Sequence, residues 1–425
     1  MTDRVAQASH GSRPGSPRLP AGHGDGRAWP AIAVGVAAVG WGANQFAPLM
    51  LMYRAELDVA STGVQATYAL YALGLIPGLL LGGPLSDRYG RRRVLVPALL
   101  VSALASGLLM LAGSSVSWLF VGRPVAGAAS GAAFSAGTAW IKELTVIHGG
   151  QHAHVGAQRA TVAMTAGFAV GPLAAGVVAH FAPHPVVSSY LPHVVLTLAA
   201  VPFVLRTPET HRGGRDLVLW SRLGLSKAGA RRFRRVVAPL APWVFTASSI
   251  ALAYLPGLVR DQLGDAALLF GAFATTLTMC AGILVQPLAR RVTRPDRPYL
   301  IATALGIVVV GLVLGAVAAA SDQWWLIFLA CLVLGAGYGC CLVCGLIEVG
   351  HLAGEENLGR LTAVFQALAY LGFAAPYLLA VFEPVLSVPV LLVMVAVPAL
   401  LTLFWVCRQG ADESVTASVP EKTVT

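Results

Sequence analysis

The residues of this sequence that could do chemistry are few, and their positions are more informative than their number. Only 11% of the chain is charged, against about 25% in soluble domains. Arg123 lies within an apolar segment, where a charge is costly and marks a path for a substrate or an ion. Asp87 lies instead in a short polar link together with Arg88, Arg91 and Arg92. These charges are the first candidates for functional residues.

Two interpretations of Arg123 stay open at this point. In the functional one, it pairs with the amides of Asn44 or Gln45, so that its charge responds to protonation or to a substrate. In the structural one, it reaches toward the outer surface or bonds to backbone carbonyls.

A proton carrier would need a titratable group, and Glu143 and Glu348 are the candidates. They end the fourth and the tenth apolar segments near the inner face. A solvated helix end is the alternative interpretation of both. No acid is predicted at the middle of any segment, which disfavours cationic substrates.

Polar and aromatic residues within the segments are candidates for lining a substrate cavity. For each of them, a satisfied helix–helix contact is the alternative. They are Asn44, Gln45, Gln65, Tyr68, Tyr71, Thr161, Thr165, Ser248, Ser249, Tyr254, Tyr338, Gln366 and Tyr370.

Several classes of site are disfavoured. His148, His152 and His154 cluster in one loop without a nearby cysteine, so neither a metal nor another cofactor is predicted. Five of the six cysteines lie in apolar segments and are interpreted as small packing residues. We find no nucleophile–base pair and no phosphate-binding loop, so an enzyme is not predicted.

The elements that must position these residues are twelve apolar segments. The chain is 56% hydrophobic, and each segment has about 20 residues, the length that crosses a hydrocarbon core of roughly 30 Å. The sequence thus predicts an all-α integral membrane protein. The segments are 29–53, 63–82, 94–113, 117–141, 159–180, 186–205, 237–259, 265–289, 298–320, 323–347, 360–381 and 385–406.

The segments between and around the spans predict orientation. Residues 1–28 are predicted to be a disordered N-terminus, and residues 407–425 a tail. Residues 206–236 are predicted to be a basic linker, which faces membrane lipids through an interfacial helix around 217–220. The outer loops would hold only Arg54 and Arg260, so both termini are predicted to be cytoplasmic at the inner (plasma) membrane. The net charge of +10 follows from this topology, and nucleic acid is not a predicted partner.

The link between the second and third segments reads Gly83-Pro84-Leu85-Ser86-Asp87-Arg88-Tyr89-Gly90-Arg91-Arg92-Arg93. It resembles the signature loop of the major facilitator superfamily. Gly83 is predicted to allow close helix approach, and Gly90 a turn with positive φ. The resemblance implies that Asp87 gates the inner side by contacting helix ends of the other half.

Two further motifs resemble the same superfamily. Arg123 with Gly127 is similar to its fourth-helix motif. Gly171-Pro172, followed by Gly176, is similar to the fifth-helix motif of its drug:proton antiporters, although Ala175 replaces the first glycine of a pair. This resemblance implies efflux driven by a proton gradient. The alternative is a general glycine packing face with a proline kink.

The second half of the sequence repeats the first at a nearly constant offset. Arg360-x-Thr362 follows Arg159-x-Thr161 by 201 residues, and Gly335 follows Gly127 by 208. Parallel six-helix repeats are the architecture of the superfamily. We therefore expect two pseudo-symmetric bundles, 29–205 and 237–406.

The resulting hypothesis is a secondary active transporter, a monomer, that exports small and largely apolar compounds by alternating access. Proton antiport is implied by the fifth-helix resemblance. The alternative is an uptake carrier or facilitator for a small metabolite, in which the fifth-helix glycines are structural.

Overall fold

The computed structural model of the chain describes residues 28–149, 153–210, 227–292, 299–321, 323–353 and 358–417. In these ranges the secondary structure is helical. The first half contains α1 (Trp29–Asn44), α2 (Phe46–Glu56), α3 (Ser61–Tyr89), α4 (Arg91–Met110), α5 (Ser117–Gly149), α6 (Ala153–Phe181), α7 (Pro185–Ser188) and α8 (Leu191–Arg206). The second half contains α9 (Lys227–Arg232), α10 (Ala238–Ser249), α11 (Arg260–Leu263), α12 (Ala267–Val292), α13 (Tyr299–Ser321), α14 (Trp324–Leu352), α15 (Leu358–Tyr370), α16 (Ala375–Phe382) and α17 (Val388–Ala417).

Ten helical stretches within the described ranges are long and apolar enough to cross a membrane. One of them, Ala228–Val292, has 65 residues, about 98 Å of helix at 1.5 Å per residue, so it must cross twice. It turns at Gly264, whose φ is +49°. The helix α5 is not among the ten, but its 33 residues are also long enough to cross a membrane. With α5 and the double crossing included, the described chain makes the twelve crossings that the sequence predicts.

The signature segment is more helical than predicted. α3 runs through to Tyr89 and α4 starts at Arg91, so that Gly90 alone links them. Gly90 has a φ of +100°, as the predicted turn requires. The prediction for Gly83 was wrong, because a Cβ there would have no described neighbour within 4 Å. The close approach belongs to Gly82, where a Cβ would lie 2.7 Å from the Cα of Ala132.

Glycines pack two pairs of helices together in equivalent ways. In the first half, a Cβ at Gly127 or Gly131 of α5 would overlap the α3 backbone at Tyr71 or Leu75. In the second half, Gly335 and Gly339 of α14 meet the α12 backbone at Thr278 and Gly282. The repeated glycines of the sequence therefore pack pseudo-equivalent helix pairs.

We define two ends of the bundle. The signature end holds Gly90, Glu143 and Glu348, and the far end holds the α2–α3 connection and Gly264. Contacts that join the two halves include a hydrogen bond of 2.7 Å from Gln65 Nε2 to the carbonyl of Ala253 and one of 3.2 Å from Thr276 Oγ1 to that of Ala169. Both lie toward the far end, so this conformation is closed there.

Some sequence predictions fall outside the description. Residues 1–27, the predicted interfacial helix at 217–220 and His152 lie outside the described residues, as do the side chains of His148 and His154. α17 continues to Ala417, beyond the end at residue 406 that the hydropathy pattern predicts.

Candidate functional site

Aromatic rings from both halves meet between the bundles. Phe373, which follows α15, stacks on Tyr68 of α3 with ring centres 5.2 Å apart and lies 5.9 Å from Tyr71. Phe245 of α10 stacks on Tyr370 at 4.4 Å and contacts Phe373 at 5.2 Å. We call these five residues the seam. It forms the apolar, closed side of any passage that opens at the signature end.

Arg123 adjoins the seam from α5. Its side chain is completely buried, and its guanidinium carbon lies 4.3 Å from the centre of the Phe46 ring, 4.4 Å from Tyr71 and 5.9 Å from Tyr68. None of its three nitrogens has a hydrogen-bond partner among the described residues. The charge is therefore held by three ring faces alone.

Ring faces compensate this charge only in part. Each desolvated cation–π contact contributes about 2 kcal/mol, but none of them satisfies an N–H donor, and each unsatisfied buried donor costs about 1–3 kcal/mol, or more on a charged group. A guanidinium also carries five N–H donors in a planar fork that matches a carboxylate, sulfonate or phosphate. The site would thus gain most from an anionic or strongly accepting group that reaches Arg123.

The predicted pairing of Arg123 with Asn44 or Gln45 was wrong for this conformation. Asn44 Nδ2 donates to the carbonyl of Phe168 at 3.4 Å. Gln45 points away from the seam and donates to Ser106 Oγ at 3.2 Å. The reason is local: the first span breaks at Gln45, between α1 and α2, and this break presents Phe46 to the guanidinium.

The other cavity candidates fall into four groups. Tyr338 contacts the seam, with its ring centre 5.6 Å from that of Phe245. Gln65 and Tyr254 line a separate cavity of about 260 Å³ at the far end. Thr161 and Ser248 bond to carbonyls of their own helices, and Ser249 also donates to the carbonyl of Gly372 at 2.9 Å. The half-buried residues Thr165 and Gln366 complete the set.

The signature end holds a charge cluster centred on Arg91. Its guanidinium lies 2.6 Å from Asp87, 2.7 Å from Glu143 and 2.5 Å from Ser86 Oγ. Within the described part of the chain, Asp87 thus pairs with an arginine of its own half and not with a helix end of the other half. Glu143 also accepts a bond of 2.5 Å from Thr210.

Glu209 continues this cluster by capping α4. Its carboxylate accepts the backbone N–H groups of Arg91 at 3.0 Å and Arg92 at 2.8 Å. These are unsatisfied donors at a helix N-terminus, where a negative charge is also favoured by the helix dipole. Arg92 in turn donates to the carbonyl of Thr207 at 2.5 Å. The segment Pro208-Glu209-Thr210, which follows the sixth span, therefore ties down the end of the first half at the N-terminus of α4.

Glu348 is paired in the second half. Arg232 donates to its two carboxylate oxygens, each at 3.0 Å. A solvated helix end was therefore the wrong interpretation of Glu348, whose side chain is 11% exposed, whereas Glu143 is bound to an arginine but stays 28% exposed. Their predicted role as proton acceptors stays a prediction. No group of three or more potential ligands is placed to hold a metal ion within the described ranges.

The comparisons with known proteins agree with this architecture. The model of the Major Facilitator Superfamily matches residues 31–376. The chain belongs to this superfamily. No curated protein matches significantly in sequence.

Solved transporter structures share the fold of this superfamily member. A POT family transporter in complex with 5-aminolevulinic acid has a TM-score of 0.76 at 10% identity, with 91% of this chain and 96% of that chain covered. A D-xylose-proton symporter has a TM-score of 0.65 at 16% identity, covering 88% and 96%. The nucleoside transporter NupG has a TM-score of 0.69 at 12% identity, covering 90% and 99%. The protein is a multi-pass transporter of the superfamily.

The fifth-helix motif of this transporter is a packing surface in the described conformation. A Cβ at Gly171 would lie 2.7 Å from the Cα of Trp41 in α1. A Cβ at Gly176 would overlap the Cβ of Ala272 in the second half. Pro172 lies within α6 between these contacts. The motif thus brings α6 close to α1 and, across the halves, to α12.

Sequence reasoning missed His193. It lies in α8, is completely buried, and is bonded on both ring nitrogens, to Ser106 at 2.8 Å and to Thr197 at 3.1 Å. A signal was present, since an ionisable residue inside an apolar segment is by default a functional candidate.

Proposed function

We propose that this transporter exports small, largely apolar compounds that are neutral or anionic, by alternating access and in exchange for protons. The observation that carries the proposal is Arg123, a buried guanidinium that lies against aromatic rings and has no hydrogen-bond partner among the described residues. The seam offers ring faces to an apolar body, and Arg123 offers charge to an accepting head group. A permanent cation would meet repulsion from Arg123 without a compensating acid in the seam.

Support for the direction of transport comes from the fifth-helix motif. Its Gly171-Pro172 pair and Gly176 resemble the fifth-helix motif of the superfamily's efflux antiporters. We further propose that the signature end faces the cytoplasm at the inner membrane, because arginines concentrate at that end. The far-end closure would then belong to a carrier ready to receive a substrate from inside.

Inside-out vesicles test this proposal, because their exterior corresponds to the cytoplasm. The probes are three naphthalenes with different head groups: naphthalene-2-sulfonate, naphthalene-2-carboxamide and naphthyl-2-trimethylammonium. An acidic vesicle interior should drive uptake of the sulfonate and the carboxamide but not of the ammonium compound. Collapse of the pH gradient should abolish this accumulation.

Two outcomes would overturn the proposal. Accumulation of the ammonium compound above the other two would contradict the assigned charge preference. Accumulation only in right-side-out vesicles with an acidic exterior would indicate proton-driven uptake, the alternative function.

A further inference from the structure

His193 lies at the centre of a buried polar chain that the substrate site does not use. The chain runs from Gln45, at the break between α1 and α2, through Ser106 of α4 to His193 and Thr197 of α8. Its links measure 3.2, 2.8 and 3.1 Å. All four side chains are at least 95% buried. Polar groups at this depth are expensive unless they are bonded, so the chain needs an explanation.

This polar chain contains a spare hydrogen-bond acceptor. Gln45 Oε1 is completely buried and has no hydrogen-bond partner in the described part of the chain. When His193 is neutral, its Nδ1 would accept a hydrogen bond from the Ser106 hydroxyl. After protonation, Nδ1 becomes a donor, and the Ser106 hydroxyl must find another acceptor. A rotation of the Gln45 amide would bring Oε1 to the position that Nε2 now occupies and provide it.

The described helices that pack against α8 place no charged side chain next to His193. The helices packed against α8 are α1, α4 and α7. α1 has no charged or histidine side chain, α4 has Arg91, Arg92 and Arg93 in its first turn only, and α7 has none, although His184 precedes it. On α8 itself, Arg206 is the last residue. The remaining titratable groups nearby are Tyr190, one helical turn before His193, and its hydrogen-bond partner Tyr53 at 2.6 Å.

A direct path leads from this chain to the substrate site. Gln45 is followed by Phe46, whose ring covers Arg123 at 4.3 Å. Rotation of Gln45 at the helix break would therefore move the neighbouring Phe46 ring, which covers the guanidinium of Arg123. A second path runs through Tyr190 and Tyr53, because the Tyr53 ring centre lies 5.5 Å from that of Phe46.

We propose that His193 is the group that binds the transported proton, and that its protonation opens the far end. This inference rests on the proposed proton exchange. A protonated His193 adds a second buried cation to a half that already holds Arg123 unpaired. The closed conformation is then disfavoured relative to one in which water reaches these groups. A proton therefore binds more tightly to the far-open state, and by linkage shifts the population toward it.

Hydrogen–deuterium exchange of the full-length protein tests this without a known substrate. The wild type, His193→Gln and His180→Gln are compared in lipid nanodiscs at pH 6 and pH 8, with rates corrected for intrinsic exchange. His180 is the matched control, since it lies at the end of α6 against Phe181 and does not belong to the polar chain around His193. We expect exchange at residues 61–74 to be about threefold faster at pH 6 in the wild type and in His180→Gln, and independent of pH in His193→Gln.

A second variant covers the case in which His193→Gln does not fold. Ser106→Ala keeps the histidine and removes its Nδ1 partner, so it should move the midpoint of the pH effect. An unshifted midpoint in Ser106→Ala, a pH effect that persists in His193→Gln, or no pH effect in the wild type would each overturn the inference. These three results leave open whether the wild type exports the naphthalene probes from vesicles. That experiment tests the proposed function separately, and its failure would overturn the proposed function.

Discussion

Gln65 of the first half donates a hydrogen bond of 2.7 Å to the carbonyl oxygen of Ala253 in the second half. Gln65 is buried beside the far-end cavity, so that water competes weakly for the bond. The residue was a sequence candidate for substrate contact. In this conformation it ties the halves together.

Gln65→Leu should loosen the far end, because leucine keeps the approximate volume but cannot donate. A hydrogen bond of this kind contributes about 1 kcal/mol, so the open fraction should rise roughly fivefold. Deuterium uptake at residues 61–74 measures this opening. Gln262→Leu is the control, since Gln262 is exposed at the same end. Equal uptake in both variants would show that the bond does not hold the halves.

The neighbouring glycines Gly82 and Gly83 should respond in opposite ways to alanine. A Cβ at Gly82 would press on the α5 backbone at Ala132, whereas one at Gly83 would meet no described atom within 4 Å. Gly82→Ala should therefore reduce the amount of folded protein severalfold. Gly83→Ala should leave it unchanged or raise it, because alanine stabilises a helix interior by about 0.5–1 kcal/mol. Fluorescence-detected size-exclusion chromatography of both variants measures these levels, and equal losses would contradict the packing.

The sequence was sufficient for the crossings and for the equivalence of the two halves, and the reasons are physical. Apolar length determines a crossing, and the constant offset between Gly127 and Gly335 indicated a repeat, but only the structure shows that these glycines pack α5 on α3 and α14 on α12. It was not sufficient for Gln45 and Arg123, because a break of one residue in the first span decides which side chain faces the guanidinium. Nor could it show that Gly82, and not Gly83, faces α5. Adjacent residues of a helix point 100° apart, and the apolar segment was expected to end at residue 82.

Asp87→Asn separates transport from folding at the signature end. Arg91 would keep Glu143 and Ser86 as partners, so membrane levels should stay near normal. Transport of naphthalene-2-sulfonate should fall strongly if, as the family resemblance implies, the Asp87 charge contacts the other half when the signature end closes. Glu143→Gln is the contrasting change and should lower the folded amount, since it leaves the buried Arg91 with a weaker pair. Normal transport by Asp87→Asn would show that the signature segment is only a structural anchor.

Reporter fusions test the proposed orientation. Fusions after Arg93, Arg235 and Arg294 should report a cytoplasmic location, and fusions near Pro185 and Gly264 an external one. The expectation follows from the concentration of Lys and Arg at the signature end. A single reversed location among the five would break the twelve-crossing topology.

Arg123 is the residue whose replacement should change substrate preference and not only activity. Two like charges about 8 Å apart at an effective dielectric constant near 20 repel by roughly 2 kcal/mol, a factor of about thirty in binding. Arg123→Ala removes this repulsion, and it removes the attraction for an anion as well. The sulfonate should therefore lose more affinity than the carboxamide, and the trimethylammonium compound should gain. Competition among the three naphthalenes for binding to purified protein measures these shifts.

Arg123→Lys distinguishes charge from geometry at the same position. Lysine restores the positive charge but not the planar fork, and it stacks less well on the rings of Phe46 and Tyr71. Sulfonate affinity should thus recover only in part, while exclusion of the ammonium compound should recover almost fully. If Arg123→Ala weakens the sulfonate and the carboxamide equally, the guanidinium serves the packing of α5 against α3, and the anion preference must be abandoned. If the ammonium compound binds best to the wild type, an acid such as Glu143 or Glu348 must leave its arginine and reach the passage.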